Sequence, residues 1–496
     1  MARRLRSVEQ AIADTDEPGS RLRRDLTWWD LTVFGVSVVI GVGIFTITAS
    51  TAGNITGPAI AVSFLIAATA CGLAAMCYAE FASTVPVAGS AYTFSYIVFG
   101  ELVAWIIGWD LILEVAVAAA VIADSWSGYL GTMLGLGRLT THLGALQIDW
   151  GALSIIAAVT AILASGAKVS ARVSLAITAV KVSVVLLVII VGAFYINTAN
   201  YFPFIPPAEP AGGETEQSLL SLVVGGGSSH YGWYGLLAGA SIVFFAFIGF
   251  DIVATAAEET RRPQRDVPRG ILASLVIVTV LYIAVVIVLT GMVKYTTLHA
   301  AGDNANLATA FAVNGVNWAA HIVALGALAG LTTVQIVVLF GQTRLVLAMS
   351  RDGLMPRWLS RTGRRRTPIR ITVLGGMVVA VAASLFPIGM LDEMVNIGSL
   401  FAFTLVSGGV ILLRRRRPDL PRGFRVPFMP LIPICSVTAC VWLMLNLTAL
   451  TWIRFVAWLG TGLIIYALYG RRRSALAHRI RQGGIESVRR ADGEVS

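Results

Sequence analysis

Three sets of residues stand where an apolar sequence has least use for them, and each can do chemistry. Lys181 lies inside "LAITAVKVSVVLLVII", too deep in an apolar run for its ammonium to reach water easily. A charge there is costly and marks a functional group by default. Two readings stay open: a carrier that binds and releases a proton, or a permanently charged lysine that caps freed backbone carbonyls. Asp110 and Glu114 in "GWDLILEVAVAAA" are four residues apart, so one helical face carries both, and neither belongs against lipid. Gly41 and Gly43 interrupt "VVIGVGIFT", and Gly249 interrupts "GASIVFFAFIGFDIVATAAEE". Each glycine is worse than alanine in a helix interior by about 1 kcal/mol.

The elements that must position these groups follow from composition. The chain has 496 residues, of which 56% are hydrophobic and 13% charged. Its mean hydropathy is +0.79. Apolar runs of ~18 residues or more recur, each long enough to cross a hydrocarbon core of ~30 Å as a helix. The pattern predicts an all-α membrane protein with twelve spans: 30–54, 58–80, 101–130, 150–165, 172–197, 234–258, 271–293, 316–349, 369–386, 390–413, 428–450 and 453–470. Cys71, Cys77, Cys435 and Cys440 fall inside spans without metal-ligand spacing and read as buried small hydrophobes.

Charge placement orients the spans. Of the 37 lysines and arginines, 33 fall on one side of this topology, only Arg138, Lys294 and Arg454 on the other, and Lys181 within a span. That asymmetry is the positive-inside pattern. It puts the tails 1–29 and 471–496, and the loop opening 414–470, in the cytoplasm of a cell bounded by a plasma (inner) membrane. It also explains the net charge of +10 through anionic lipid headgroups, with no nucleic acid partner. A monomer is the simplest assumption. No P-loop, metal-ligand spacing or nucleophile–base set appears, so no enzyme, metal or cofactor is expected.

The Gly- and Pro-rich segment 198–233 divides the chain. Spans 1–5 (30–197) precede it and spans 6–10 (234–413) follow, so spans 1 and 6 correspond. Five being odd, the second set starts from the opposite side and the repeat is inverted. Broken helices at matching positions of such repeats place a binding site near the midplane. Unwinding around Ile40, Gly41, Val42, Gly43 and Ile44 frees N–H groups that hydrocarbon cannot satisfy, at the N-terminus of a half-helix. A carboxylate answers both. Carbonyls freed around Phe245, Ala246, Phe247, Ile248 and Gly249 can accept from an ammonium. Donors on one side and acceptors on the other match an α-amino acid zwitterion. Glycine is expected here because a Cβ would block a ligand's approach to the backbone.

On these residues the chain resembles the amino acid–polyamine–organocation superfamily, nearest its cationic amino acid transporter branch of bacterial type. Four stretches within 24–470 carry the likeness: "LTWWDLTVFGVSVVIGVGIF", "FAFIGFDIVATAAEETRRPQRDVPRGI", "KVSARVSLAITAVK" and "GQTRLVLAMSRDGLMP". The resemblance implies a leucine-transporter-type fold with a 5+5 inverted repeat, broken helices 1 and 6 and two extra C-terminal helices. It implies proton-coupled uptake of cationic or neutral L-amino acids by alternating access. By the same resemblance Lys181 occupies the place that a cation takes in sodium-driven relatives, and span 8 lines a side-chain pocket, which makes Thr332, Thr333 and Gln335 candidates for specificity. Glu114 has three open roles: partner of Lys181, contact for a substrate's cationic end, or structural carboxyl. Asp251 reads as structural, and Glu258 and Glu259, facing arginines, as an ion-pair latch. Obligatory exchange and a non-transporting amino acid receptor on the same fold are the alternatives.

Overall fold

A capping box opens the first helix. Thr27 N–H donates to Asp30 Oδ2 at 2.9 Å while Asp30 N–H donates to Thr27 Oγ1 at 3.4 Å, which starts α1 at Trp28–Val39. The computed structural model describes residues 24–474 apart from 88–89, 138, 144–145, 167–170, 211–216, 226–227, 303–304, 361–367 and 387. Most of both tails, together with Lys168, Arg138 and the arginines between 361 and 366, lies outside the described residues.

Helices make up most of the rest. After α1 the chain re-forms as a short half-helix through residues 43–56, with π-helical turns at Gly43–Ile47 and Ala52–Thr56. There follow α2 (Ile60–Thr84), α3 (Ser90–Val98), α4 (Glu101–Leu134), a hairpin β1–β2 (Thr140–Leu143, Leu146–Asp149), α5 (Trp150–Ala164) and α6 (Ala171–Ala193). The segment after α6 carries β3 (Glu209–Pro210), α7 (Leu219–Val224) and β4 (Ser228–His230), with β3 and β4 paired antiparallel. Then come α8 (Gly232–Val243), α9 (Phe250–Thr255), α10 (Pro263–Met292), α11 (Tyr295–Ala301), α12 (Leu307–Val313) and α13 (Asn317–Arg351). The chain closes with α14 (Ile369–Leu385), α15 (Ile388–Arg416), α16 (Leu431–Leu445) and α17 (Ala449–Ile465).

Among the described residues eight helical stretches are long and apolar enough to cross a membrane, and four shorter apolar helices accompany them: α1, α5, α14 and α16. Two details differ from the sequence reading. The helix expected from 271 starts at Pro263, since proline at a helix start loses no intrahelical hydrogen bond and its fixed φ suits the first turn. Cys435 is exposed on α16, whereas Cys71, Cys77 and Cys440 are buried as expected.

Packing joins the halves of the chain. The long helix α10 runs against α1 and α2, while α4 lies between α13 and α15. Small residues set the close contacts, as they do where helices must approach without a hydrophobic drive from water. A Cβ at Gly35 would come within 2.6 Å of Ser274 Oγ, and one at Gly270 within 2.6 Å of Leu31 Cβ. Just before α1, Leu26 forms a parallel bridge with Thr260: Leu26 N–H donates to Glu259 O at 3.0 Å and Arg261 N–H to Leu26 O at 2.9 Å. Backbone therefore ties the start of α1 to the end of the α9 segment at the place where the sequence suggested a carboxylate latch.

Candidate functional site: two broken helices and a buried lysine

Both interruptions are present. Ile40 leaves the helical region at ψ 96° and ends α1, and the half-helix restarts at Val42–Gly43. Gly41, Val42, Gly43 and Ile44 are all buried, and the half-helix that restarts at Val42–Gly43 has no helical turn directly before it to take up its first N–H groups. These are the orphan donors of a helix N-terminus, which must be satisfied by side chains, water or a ligand.

In the second break, α8 tightens into a 3-10 turn over Phe244–Phe247, Ile248 turns extended at ψ 137°, and Gly249 adopts φ +118°. A side chain is strained at that φ, and a Cβ on Gly249 would lie 2.8 Å from Val38 Cγ1, so glycine is required twice over. Ile248 N–H takes up Phe245 O at 3.2 Å, and the extended Ile248 ends the turn that carries the carbonyls of Ala246 and Phe247. The sequence pattern alone expected the donors and acceptors; the structure places the two breaks in direct contact.

That contact changes the role of Gly43. A Cβ there would stand 2.2 Å from Ala246 Cα and 2.4 Å from Ala246 Cβ. What it would meet is the other broken helix, so the missing side chain first serves the junction of the two breaks. Gly41 is freer: its nearest neighbour would be Val334 Cγ2 on α13 at 3.5 Å, an ordinary contact.

Lys181 is 1% exposed, and its ammonium donates to Ser37 O at 2.9 Å, one turn before the break. Beside it Thr178 Oγ1 donates to Ser37 Oγ at 2.7 Å, and Gly330 of α13 packs on the lysine stem, where a Cβ would come within 3.1 Å. Lys181 thus joins α6, α1 and α13. Its partner is a carbonyl. Among the described residues no carboxylate forms an ion pair with it.

Glu114 is consequently not the partner of Lys181. It sits on α4 beside Asp110, with Asp251 and Ser399 as neighbours. The α15 backbone comes close at Gly398, where a Cβ would lie 2.9 Å from Asp110 Oδ1 and 3.6 Å from Glu114 Cβ. The span 8 candidates separate as well. Thr332 Oγ1 donates to Leu328 O at 2.7 Å and accepts from Trp126 Nε1 at 3.0 Å, and Thr333 Oγ1 donates to Gly330 O at 2.7 Å. Both hydroxyls are engaged within the protein. Gln335 is fully buried, and among the described residues neither end of its amide has a hydrogen-bond partner, which leaves it able to take one. Phe247 packs edge-on against Phe64 and tilted against Tyr282, centroids 5.9 and 5.5 Å away, so its ring is core; Phe245 is 9% exposed.

Two tyrosines escaped the sequence reading. Tyr282 OH of α10 donates to Val39 O at 2.8 Å, and Tyr129 OH of α4 donates to Phe45 O while accepting from Leu307 N–H at 3.3 Å. With Lys181 they satisfy carbonyls on both sides of the first break. The signal was available: a tyrosine in an apolar run, as in "VLYIAVVIV" or "WSGYLGT", must find an acceptor for its hydroxyl.

Comparison with known proteins agrees with this architecture. A family model described as amino acid permease matches residues 26–468. The chain is 42% identical to the branched-chain amino acid permease BcaP of Bacillus subtilis (strain 168), over 95% of this chain and 98% of that protein. It is 41% identical to the methylthioribose transporter of the same organism, over 92% and 95% of the two chains. With human cationic amino acid transporter 4 the identity is 35% over 84% of this chain and 63% of that longer protein. A helical chain with two broken segments in contact, matched along almost its whole length by permeases, is a multi-pass membrane protein of the amino acid permease family.

Proposed function

We propose that this permease carries an α-amino acid across a plasma membrane by alternating access, binding it between the breaks at Ile40–Ile44 and Phe245–Gly249. The observation that carries the reading is the contact of the two breaks: the N-terminal N–H groups of the half-helix restarting at Val42–Gly43 lie beside the carbonyl end of the turn Phe244–Phe247. A carboxylate suits the first and an ammonium the second. Twelve crossings, with spans 1–5 and 6–10 as inverted repeats and both termini cytoplasmic, remain the arrangement we infer from the charge pattern. The touching breaks at corresponding places support it.

For the side chain we favour a neutral aliphatic group. The face of Gly41 opens onto Val334, and the 42% identical relative is named a branched-chain amino acid permease. Lys181 is the proposed proton carrier: with no carboxylate paired to it among the described residues, its charge state is coupled directly to the first break through Ser37 O. The driving force is then a proton gradient.

A thermal-shift screen of the purified protein tests the substrate, because a ligand selective for the folded state raises its apparent stability. Leucine, isoleucine or valine should raise the melting temperature and arginine or lysine should not. A response to methylthioribose without any response to the twenty amino acids would overturn the proposal.

A further inference from the structure

A buried ion pair lies away from the proposed substrate site, at the ends of α2 and α15. Glu80, 2% exposed, accepts from Arg414 Nε at 2.6 Å on Oε1 and from Arg414 Nη2 on Oε2. Its Oε2 also accepts from Val426 N–H at 2.7 Å, and Phe424 N–H donates to Ser83 Oγ at 3.2 Å. The segment 417–427 therefore folds back from α15 over the end of α2. It is held on its other side by α10, where a Cβ on Gly423 would come within 2.4 Å of Gln264. Arg422 adds a second guanidinium 3.5 Å from Glu80 Oε1, while its Nη groups are spent on the carbonyls of Arg417, Pro418 and Leu420.

Inward of this clip, between it and the breaks, the same seam is filled by rings. Tyr78 of α2 meets Phe250 of α9 at 5.7 Å and Phe403 of α15 at 5.2 Å, and Phe403 meets Phe250 at 5.0 Å and Phe244 at 5.8 Å. The plug carries a flaw. Tyr78 OH is buried with no hydrogen-bond partner among the described residues, so the packed state leaves unsatisfied a donor that water would satisfy on opening. Rings can separate without orphaning polar groups, and Arg414, whose side chain is 23% exposed, can regain water at little distance.

We propose that Glu80, Arg414 and the 417–427 strap form a cytoplasmic latch over the Tyr78–Phe250–Phe403 plug, which must open in every cycle to release substrate inward. The latch rests on the proposed passage of an amino acid between the breaks, from which this seam is the direct way to the cytoplasm.

The test is a Glu80→Cys/Arg414→Cys double variant bridged by a reducible bifunctional thiol reagent in proteoliposomes. Bridging should cut substrate uptake about tenfold or more, with recovery on reduction, because a gating motion limits the cycle. Substrate should still raise the melting temperature of the bridged protein. Undiminished uptake with the bridge in place overturns the latch; loss of the substrate-induced shift in the unbridged wild type overturns the site reading instead. If the double variant does not fold, Glu80→Gln preserves volume. It should speed labelling of Phe403→Cys by a water-soluble maleimide from the cytoplasmic side several-fold, and an equal labelling rate refutes the proposal.

Discussion

Gly43→Ala is the smallest change that should part the two broken helices. Its Cβ would start 2.2 Å from Ala246 Cα, and ordinary contact begins at 3.4 Å, so the segments must separate by roughly 1.2 Å. Overpacking of this kind costs about 1–3 kcal/mol of stability. The same displacement pulls the Gly41–Ile44 donors away from the Ala246 and Phe247 acceptors. A hydrogen bond to a charged group contributes about 1.5–3 kcal/mol. Losing one to a zwitterion weakens binding about 10- to 150-fold. Ala246→Gly in the same chain should rescue only in part, since it removes the 2.4 Å contact and leaves the 2.2 Å one. Gly41→Ala is the control, its nearest neighbour being Val334 at 3.5 Å, and it should keep the fold. Melting curves and equilibrium binding of the best substrate from the thermal-shift screen, measured on all four proteins, decide the matter. Wild-type stability together with wild-type affinity in Gly43→Ala would refute the reasoning.

Other changes isolate single contacts. Lys181→Ala uncaps Ser37 O, at a cost of about 1–3 kcal/mol, and should abolish accumulation driven by an imposed proton gradient; accumulation that survives rejects the proton-carrier role. Tyr282→Phe leaves Val39 O without its 2.8 Å donor and should lower stability by about 1–3 kcal/mol, which an unchanged melting temperature would contradict. Glu114→Gln should leave the preference between neutral and cationic amino acids unaltered, because this side chain packs against the α15 backbone at Gly398; a competition assay showing a changed preference would return it to the substrate pocket.

Properties that add up along a chain were legible without coordinates. Apolar runs long enough to cross a bilayer mark helices, because hydrocarbon satisfies no backbone group and each segment must bond to itself. Glycines inside two such runs marked both interruptions, since glycine alone tolerates a conformation like φ +118° at Gly249. Lys181 was conspicuous because a charge in an apolar run has to be answered by something.

What answers it was decided only in three dimensions. Nothing in the run around Lys181 specifies Ser37 O over Glu114, because that choice depends on which helices lie side by side and at what rotation. The same holds for Gly43, whose pattern suggested room for a ligand and whose neighbour is Ala246, and for Thr332, whose hydroxyl is taken by Trp126. Glu80 and Arg414, 334 residues apart, are an unremarkable acid and one arginine of a basic run until α2 and α15 bring them together. The sequence by itself determined which segments are helical, where two of them break and which buried groups need partners, because those demands are local and set by solvent. Only the tertiary structure assigned the partners, since complementarity between distant segments is a property of their packing and is written in no single one of them.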